Sequence, residues 1–255
     1  SESANVTYAL RSLIVNARRF LICSVPLLWS GCSSGDGSLS PGSDAGSMTQ
    51  VNTGLGADIT RPGTSLLPWK EGNTWTYKVT DNGEVTSKVI TVGPLEPIGG
   101  SGVNKDRLAN RVVTKKGPTD QTLSWQIGDS NGERVIRLRE QAFGAKTGLL
   151  QLDEFYDPYK LHVDGTAAHR MTGASWIETY QDQKDIPDAG STTTTATDAW
   201  QVDGVDIEVT VPAGTFKTIV FIKGGGKTYW YKAGVGKIKE TGGQTEELVS
   251  YTVVP

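Results

Sequence analysis

"TFKTIVFIKGGGKTYWYK", Thr215 to Lys232, is the stretch on which the fold turns. Three glycines followed by Lys227-Thr228 look like the end of a phosphate-binding loop. That motif, G-x-x-x-x-G-K-[ST], needs another glycine five positions before Gly226; the residue there is Phe221. It also needs a helix after the loop, whose N-terminus completes the anion site. Here "TYWYK" follows, aromatic and strand-like, and "KTIVFIK" precedes, rich in β-branched and aromatic residues. The segment therefore reads as strand, glycine turn, strand. Gly224, Gly225 and Gly226 supply the positive φ angles that a tight hairpin demands. In "TYWYK", Tyr229 and Tyr231 face one way and Trp230 the other, so this strand is either covered on both sides or borders a cavity.

The same grammar extends outward. In "NTWTYKVT", Trp75, Tyr77 and Val79 alternate with threonines and Lys78. "DNGE", Asp81 to Glu84, holds the Asn-Gly pair of a hairpin turn, and "VTSKVITV" returns from it. "QTLSWQI" aligns Leu123, Trp125 and Ile127, which predicts a core role for Trp75 and Trp125. "RVIRLRE" sets Ile136 and Leu138 against Arg137 and Arg139. "VDIEVTV" aligns Val205, Ile207, Val209 and Val211, and Pro212 then marks an edge, bulge or turn because it cannot donate to a ladder. "AGVG" and "GGQ" are further turn signals. From "KTGLLQLDEFYDPYKLHVDG" through "STTTTATDAW" the pattern weakens, and short strands among long polar loops are expected. No stretch after Cys32 sustains a helical period over three turns. The expected fold is all-β: a single antiparallel, curved sheet, half-barrel or sandwich-like, over residues 66–255.

The N-terminal quarter has a different composition. "RSLIVNARRFLICSVPLLWSGC" runs from Arg11, Arg18 and Arg19 through an apolar stretch, Phe20 to Trp29, to small residues and Cys32. These are the three regions of a secretory signal peptide. The apolar run is too short to span a bilayer, which takes about 20 apolar residues. Its end resembles the lipobox of bacterial lipoproteins, with Ser30 and Gly31 before the cysteine and Trp29 where that family usually has Leu. The resemblance implies a signal peptide over 1–31 and Cys32 as the lipid attachment site. An ordinary signal peptide that leaves Cys32 as a free thiol is the alternative. Residues 32–65 then form a Gly/Ser/Asp-rich tether with too few bulky apolar groups to offset its ordering entropy. Cleavage before Cys32 removes Cys23 and with it any disulfide, so the domain must be stabilised by its core. Removing Glu2 and the three arginines from 28 acidic and 25 basic residues leaves 27 and 22. That mildly acidic balance, without a basic stripe, argues against a nucleic-acid partner.

Little in the chain announces catalysis. His162 and His169 lie seven apart among turn signals, unlike a helical metal site such as H-E-x-x-H, and read as solvated loop residues. Asp153, Glu154, Asp157 and Asp164 are oxygen ligands of the kind calcium prefers, but lack the alternate spacing of a calcium loop and read as solvated acidic loop residues. They are also the carboxylates from which a glycosidase pair would have to be drawn. No catalytic residue, metal or cofactor is assigned.

"PAGTF" at Pro212 to Phe216, "YWY" at Tyr229 to Tyr231 and "GVG" at Gly234 to Gly236 together resemble a signature of uncharacterised bacterial secreted lipoproteins. "WKEGNTWTY", Trp69 to Tyr77, resembles the opening of the same domains. The resemblance implies a curved antiparallel sheet and brings no activity with it; outer-membrane lipoprotein carriers, which have an open half-barrel, offer an analogy of fold only. The expected function is that of a lipid-anchored cell-envelope binding or scaffolding protein, placed at the outer membrane as the lipobox resemblance implies, whose partners are the membrane through its anchor and an envelope protein or apolar ligand. A carrier of a lipid in a half-barrel cavity is one alternative. An envelope hydrolase using the Asp153 to Asp164 carboxylates is the other.

Overall fold

The computed structural model describes residues 65–129 and 133–254, so Cys32, the signal region and the tether lie outside the described residues. Twelve strands follow one another: β1 Thr74–Asp81, β2 Glu84–Pro97, β3 Leu108–Lys116, β4 Asp120–Gly128, β5 Arg134–Phe143 and β6 Leu150–Asp164. After a 3-10 turn at Ala167–His169 come β7 Ser175–Ile186, β8 Gly190–Val211, β9 Gly214–Lys223, β10 Lys227–Lys232, β11 Gly236–Thr241 and β12 Thr245–Thr252. Each pairs antiparallel with the next, and β12 pairs with β1, closing the sheet into a barrel. Closure leaves neither β1 nor β12 with an unpaired edge.

The turns follow their residues. Asn82 and Gly83, both at positive φ, make the two-residue β1–β2 turn. Between β9 and β10, Gly225 and Gly226 have φ near 86° and 83°, but Gly224 is not left-handed. Its N–H instead donates to Ala199 O, extending the β8 pairing by one residue. Pro212 lies in the β8–β9 turn.

The core begins at one end of the barrel. Trp75, Tyr77 and Val79 are buried in the alternation expected of β1. Ahead of them Leu66 (0 % exposed) and Leu67 fold over the barrel end, each such side chain stabilising by about 2 kcal/mol. Buried Asn73 fixes this segment: its Nδ2 donates to Pro68 O, and its Oδ1 accepts from Val254 N. The Trp75 indole donates to Val235 O in the β10–β11 turn at 2.6 Å.

Two expectations are corrected, and the core role of Trp125, which holds, falls in a second cluster outside the barrel interior. The middle of the chain does not consist of short strands and long loops; it forms β6, β7 and β8, of 15, 12 and 22 residues, the first and last of them the two longest strands among the described residues. The first half of β8, "GSTTTTAT", is exposed on both faces, so no apolar period could reveal it, although its β-branched threonines favour extended backbone. Trp125 is buried but not within the barrel. Its neighbours Ser124 and Gln126 take the inward phase, and Trp125 packs with Ile98, Ala109 and Leu138 in a second cluster. Finally, a bulge between Arg137 and Arg139 separates the two arginines. Arg137 lines the barrel interior. Arg139 grips Asp153 through two hydrogen bonds, 2.8 and 2.6 Å, with its guanidinium 4.5 Å from the Trp125 ring centre.

Candidate functional site

Beyond the aromatic end the barrel is not filled. A cavity of about 530 Å³ extends from Leu67 and Trp69 at the end where β1 starts to Gly224 and Gly225 in the β9–β10 turn at the opposite end. One wall is aromatic, with Tyr77, Trp200, Tyr229 and Tyr231. Much of the remainder is charged, and the ladder explains how. Lys88 lies opposite Tyr77 and shares its inward phase; so does Lys237, opposite Tyr231. Arg137 stands across from Gln126 on one side and Lys160 on the other, and Lys223 stands across from Trp200. Directly cross-strand residues share a face of the sheet, so these cations converge on the interior.

Two groups result. In the first, Glu246, 1 % exposed, accepts from Lys88 and Lys237 at 2.8 Å each and from Gln244 Nε2 at 2.6 Å. Glu240 pairs with Lys237 and, at 3.2 Å, with Lys227. Burial opposes the Lys237 charge, but Glu240 and Glu246 outweigh it and hold the ammonium well above the ordinary lysine range. Burial likewise works against the Glu246 charge, and Lys237 and Lys88 overcome it, leaving the carboxyl well below the usual carboxylate range. Lys88 shifts the other way, downward, because its own burial and the repulsion of Lys237 exceed what the shared Glu246 returns.

In the second group Arg137 pairs with Glu140, and Lys223 pairs with Asp198 at 2.7 Å while lying 4.9 Å from the Trp200 ring centre. Lys160 has no carboxylate within ion-pair range among the described residues; its ammonium lies over the rings of Tyr156 and Tyr180, at 5.0 and 5.6 Å. Burial, then Arg137 and Lys223, lower its pKa. His162, beside Arg137 at 3.5 Å, is pushed well below the histidine range by burial and then by Arg137 and three lysines, and is neutral. With Arg137 donating, its Nδ1 is the acceptor.

Several interior polar atoms have no partner in the protein. Arg137 Nε, Trp69 Nε1 and Trp200 Nε1 are such donors, and Gln126 Oε1 is such an acceptor. All four belong to residues lining the cavity.

No family, characterised protein or solved structure matches this chain. Its functional reading rests on the cavity.

The residues singled out from sequence are dispersed. Asp153, Glu154, Asp157 and Asp164 are on β6, not on a loop. Three of them are engaged: Asp153 with Arg139, Glu154 with Lys184 at 2.8 Å, and Asp164 with His169 at 3.0 Å. Solvated acidic residues they are not, since Asp153, Glu154 and Asp164 are each at most 9 % exposed. Among the described residues no three metal-ligating side chains cluster. His162 is on β6 facing the cavity, and His169 stacks on Trp176 with ring centres 3.8 Å apart, so neither is a solvated loop histidine. Lys227 is held by Glu240 beside a hairpin turn. Lys88, Arg137, Lys160, Lys223 and Lys237 went unnoticed in the sequence. The available signal was a cation in phase with buried aromatic partners, visible only once strand pairing is known.

Proposed function

We propose that this chain is a ligand-binding protein of the bacterial cell envelope, tethered through lipid on Cys32, whose binding site is the interior of the barrel. The observation that carries this reading is the 530 Å³ cavity itself, lined from most of the strands and within the 300–1,000 Å³ common for small-molecule sites. A pure scaffold has no use for buried charge around empty space, since well-packed apolar residues fill a core at lower cost. The charged lining favours a polar ligand over the acyl chain that a lipid carrier would hold. The hydrolase alternative loses support because Asp153 and Glu154 are already paired with Arg139 and Lys184, and Asp164 with the His169 ring.

Thr122 lines the cavity, and Thr122→Trp should fill part of it. In a thermal-shift screen of small polar metabolites, ligands that raise the melting temperature of the native protein should fail to raise that of Thr122→Trp. A ligand present at 100 times its Kd stabilises by about 2.7 kcal/mol, which is readily detected. Equal shifts in both proteins would place binding elsewhere and overturn the reading. The anchor is tested separately: Cys32→Ala should release the protein from membranes, and an unmodified N-terminus at another residue would refute it.

A further inference from the structure

The cavity is unbalanced in charge and in hydrogen-bonding capacity, and both imbalances have the same sign. Six cations line it, Lys88, Arg137, Lys160, Lys223, Lys227 and Lys237, against three carboxylates, Glu140, Asp198 and Glu240. Counting Glu246, which neutralises Lys88 and Lys237 from the wall, two positive charges remain uncompensated. One is in the Lys88–Lys227–Lys237 group, where three lysines share Glu240 and Glu246. The other is in the group of Arg137, Lys160 and Lys223, whose ion-paired carboxylates are Glu140 and Asp198, with Glu154 and Glu178 acting on it from a greater distance. There the surplus is localised, because Lys160 alone has only aromatic faces against its ammonium.

Hydrogen bonding agrees. Among the described residues lining the cavity, Arg137 Nε, Trp69 Nε1 and Trp200 Nε1 are donors without a protein acceptor, against one free acceptor, Gln126 Oε1. Trp200 is 5 % exposed, so its indole N–H is deeply buried, and a buried donor left unmade is costly. An occupant carrying negative charge would offset the surplus cations; these N–H groups, with almost no accessible surface, would need a side-chain movement to reach its oxygens.

We infer that the ligand is a small organic anion whose carboxylate or phosphate group is held by Arg137, Lys160 and Lys223, with a flat ring against the wall formed by Trp200 and Tyr229. This assignment depends on the barrel interior being the binding site. The Trp200 and Tyr229 rings are stacked on each other, 5.8 Å apart and 30° from parallel, and a planar group adds to that stack. The downward shift at His162, caused after burial by Arg137 and three lysines, is the response of an ordinary base to a positive interior. It keeps the imidazole neutral, so the anion is held by Arg137, Lys160 and Lys223 rather than by His162.

Calorimetry with the full chain and matched probes tests the assignment. 2-Naphthoate and 2-naphthamide share a ring system and differ in charge; phenyl phosphate presents the other anionic group. Naphthoate should bind at least about tenfold more tightly than the amide, and Lys160→Met should remove most of that preference, as loss of a charge-assisted contact does. Tighter binding of phenyl phosphate than of naphthoate assigns the anion to a phosphate, and the reverse to a carboxylate; either supports the inference. Circular dichroism and thermal melting of Lys160→Met establish that it is folded. Equal or tighter binding of the amide, abolished by Thr122→Trp, would overturn the anion assignment and leave the cavity as the site. Binding of any probe that Thr122→Trp leaves unchanged would overturn the cavity reading itself. Absence of binding by all three at millimolar concentration would overturn the anion assignment.

Discussion

Removing the charge of Glu246 should be among the most damaging single changes to the barrel interior. Its carboxylate is 1 % exposed and accepts three hydrogen bonds, two of them from the ammonium groups of Lys88 and Lys237. Glu246→Gln keeps the shape but leaves two buried lysines to share Glu240, which already serves Lys227. Breaking one member of a buried ionic cluster costs about 3–5 kcal/mol, because the partner charges remain desolvated. That is a large part of the 5–15 kcal/mol typical of a domain. Urea denaturation followed by tryptophan fluorescence measures the change, with the slope expected to stay constant. Adding Lys88→Met to Glu246→Gln should restore part of the loss, since one stranded cation is then gone. The pH dependence has a fixed sign. The folded-state pKa of Glu246 is depressed, so its contribution is complete above the unfolded value, near 4.3, and is lost as pH falls from there toward the folded value. The gap between native and Glu246→Gln proteins should therefore shrink on acidification below about pH 4. A loss under about 1 kcal/mol at pH 7, or a gap that does not narrow in acid, would refute this account.

Glu178 should behave oppositely. Burial pushes its pKa up to about 7, partly resisted by the hydrogen bond from Leu161 N, so its stabilising protonated form is lost as pH rises through 7; after discounting for solvent screening, Glu178→Gln should gain about 1 kcal/mol at pH 8 and nothing at pH 4 in the same denaturation assay. At the β9–β10 turn, Gly226→Val should lower stability by about 1 kcal/mol or more through its positive φ. Lys227→Ala, which breaks an exposed ion pair, should melt within a few degrees of the native protein. Arg139→Lys should cost about 2–3 kcal/mol, because lysine cannot reproduce the two parallel bonds to Asp153 and the contact with Ile98 O; a neutral outcome by thermal melting would show that the second cluster is held by apolar packing alone.

Strand identity was legible wherever one face is apolar and the other polar. "NTWTYKVT" satisfies that condition, and β1 buries Trp75, Tyr77 and Val79. The glycine pairs fixed hairpins because few other residues adopt positive φ, as at Gly225 and Gly226. Two physical conditions hid the rest. The β7–β8 hairpin extends beyond the paired end of β9, since Trp200 already faces Lys223 there, and its threonines meet solvent on both sides. The barrel interior also reverses the usual code. Lys88, Arg137, Lys160 and Lys237 stand at inward positions, where a period-two reading assigns polar residues to the outside. Closure of the sheet followed from no local signal, because β1 and β12 are paired across the whole length of the domain.

The charged interior and the closed sheet explain one another. A cavity walled only by aliphatic groups gains free energy by collapsing, since every apolar contact made removes surface from water. Tyr77, Tyr231 and Trp75 show that collapse at one end, where they are packed to 2 % exposure or less. Further along, Lys237, Glu240 and Glu246 on β11 and β12 meet Lys88 on β2, with β1 between them, and such groups resist compaction because squeezing out their surroundings raises the cost of their desolvation. A closed ladder holds the strands at fixed spacing while this ionic ring keeps the interior open. In the Lys88, Lys227 and Lys237 group every cation has a carboxylate partner, and that group serves the wall. The Arg137, Lys160 and Lys223 cluster lacks a counter-charge for Lys160. Lys160→Met should accordingly stabilise the unliganded protein by about 1 kcal/mol, relieving a half-buried charge that has no ion-paired carboxylate, while weakening anion binding. A variant that loses stability and binding together would mean that Lys160 supports the fold, and the division of the interior into a structural and a ligand-holding half would fail.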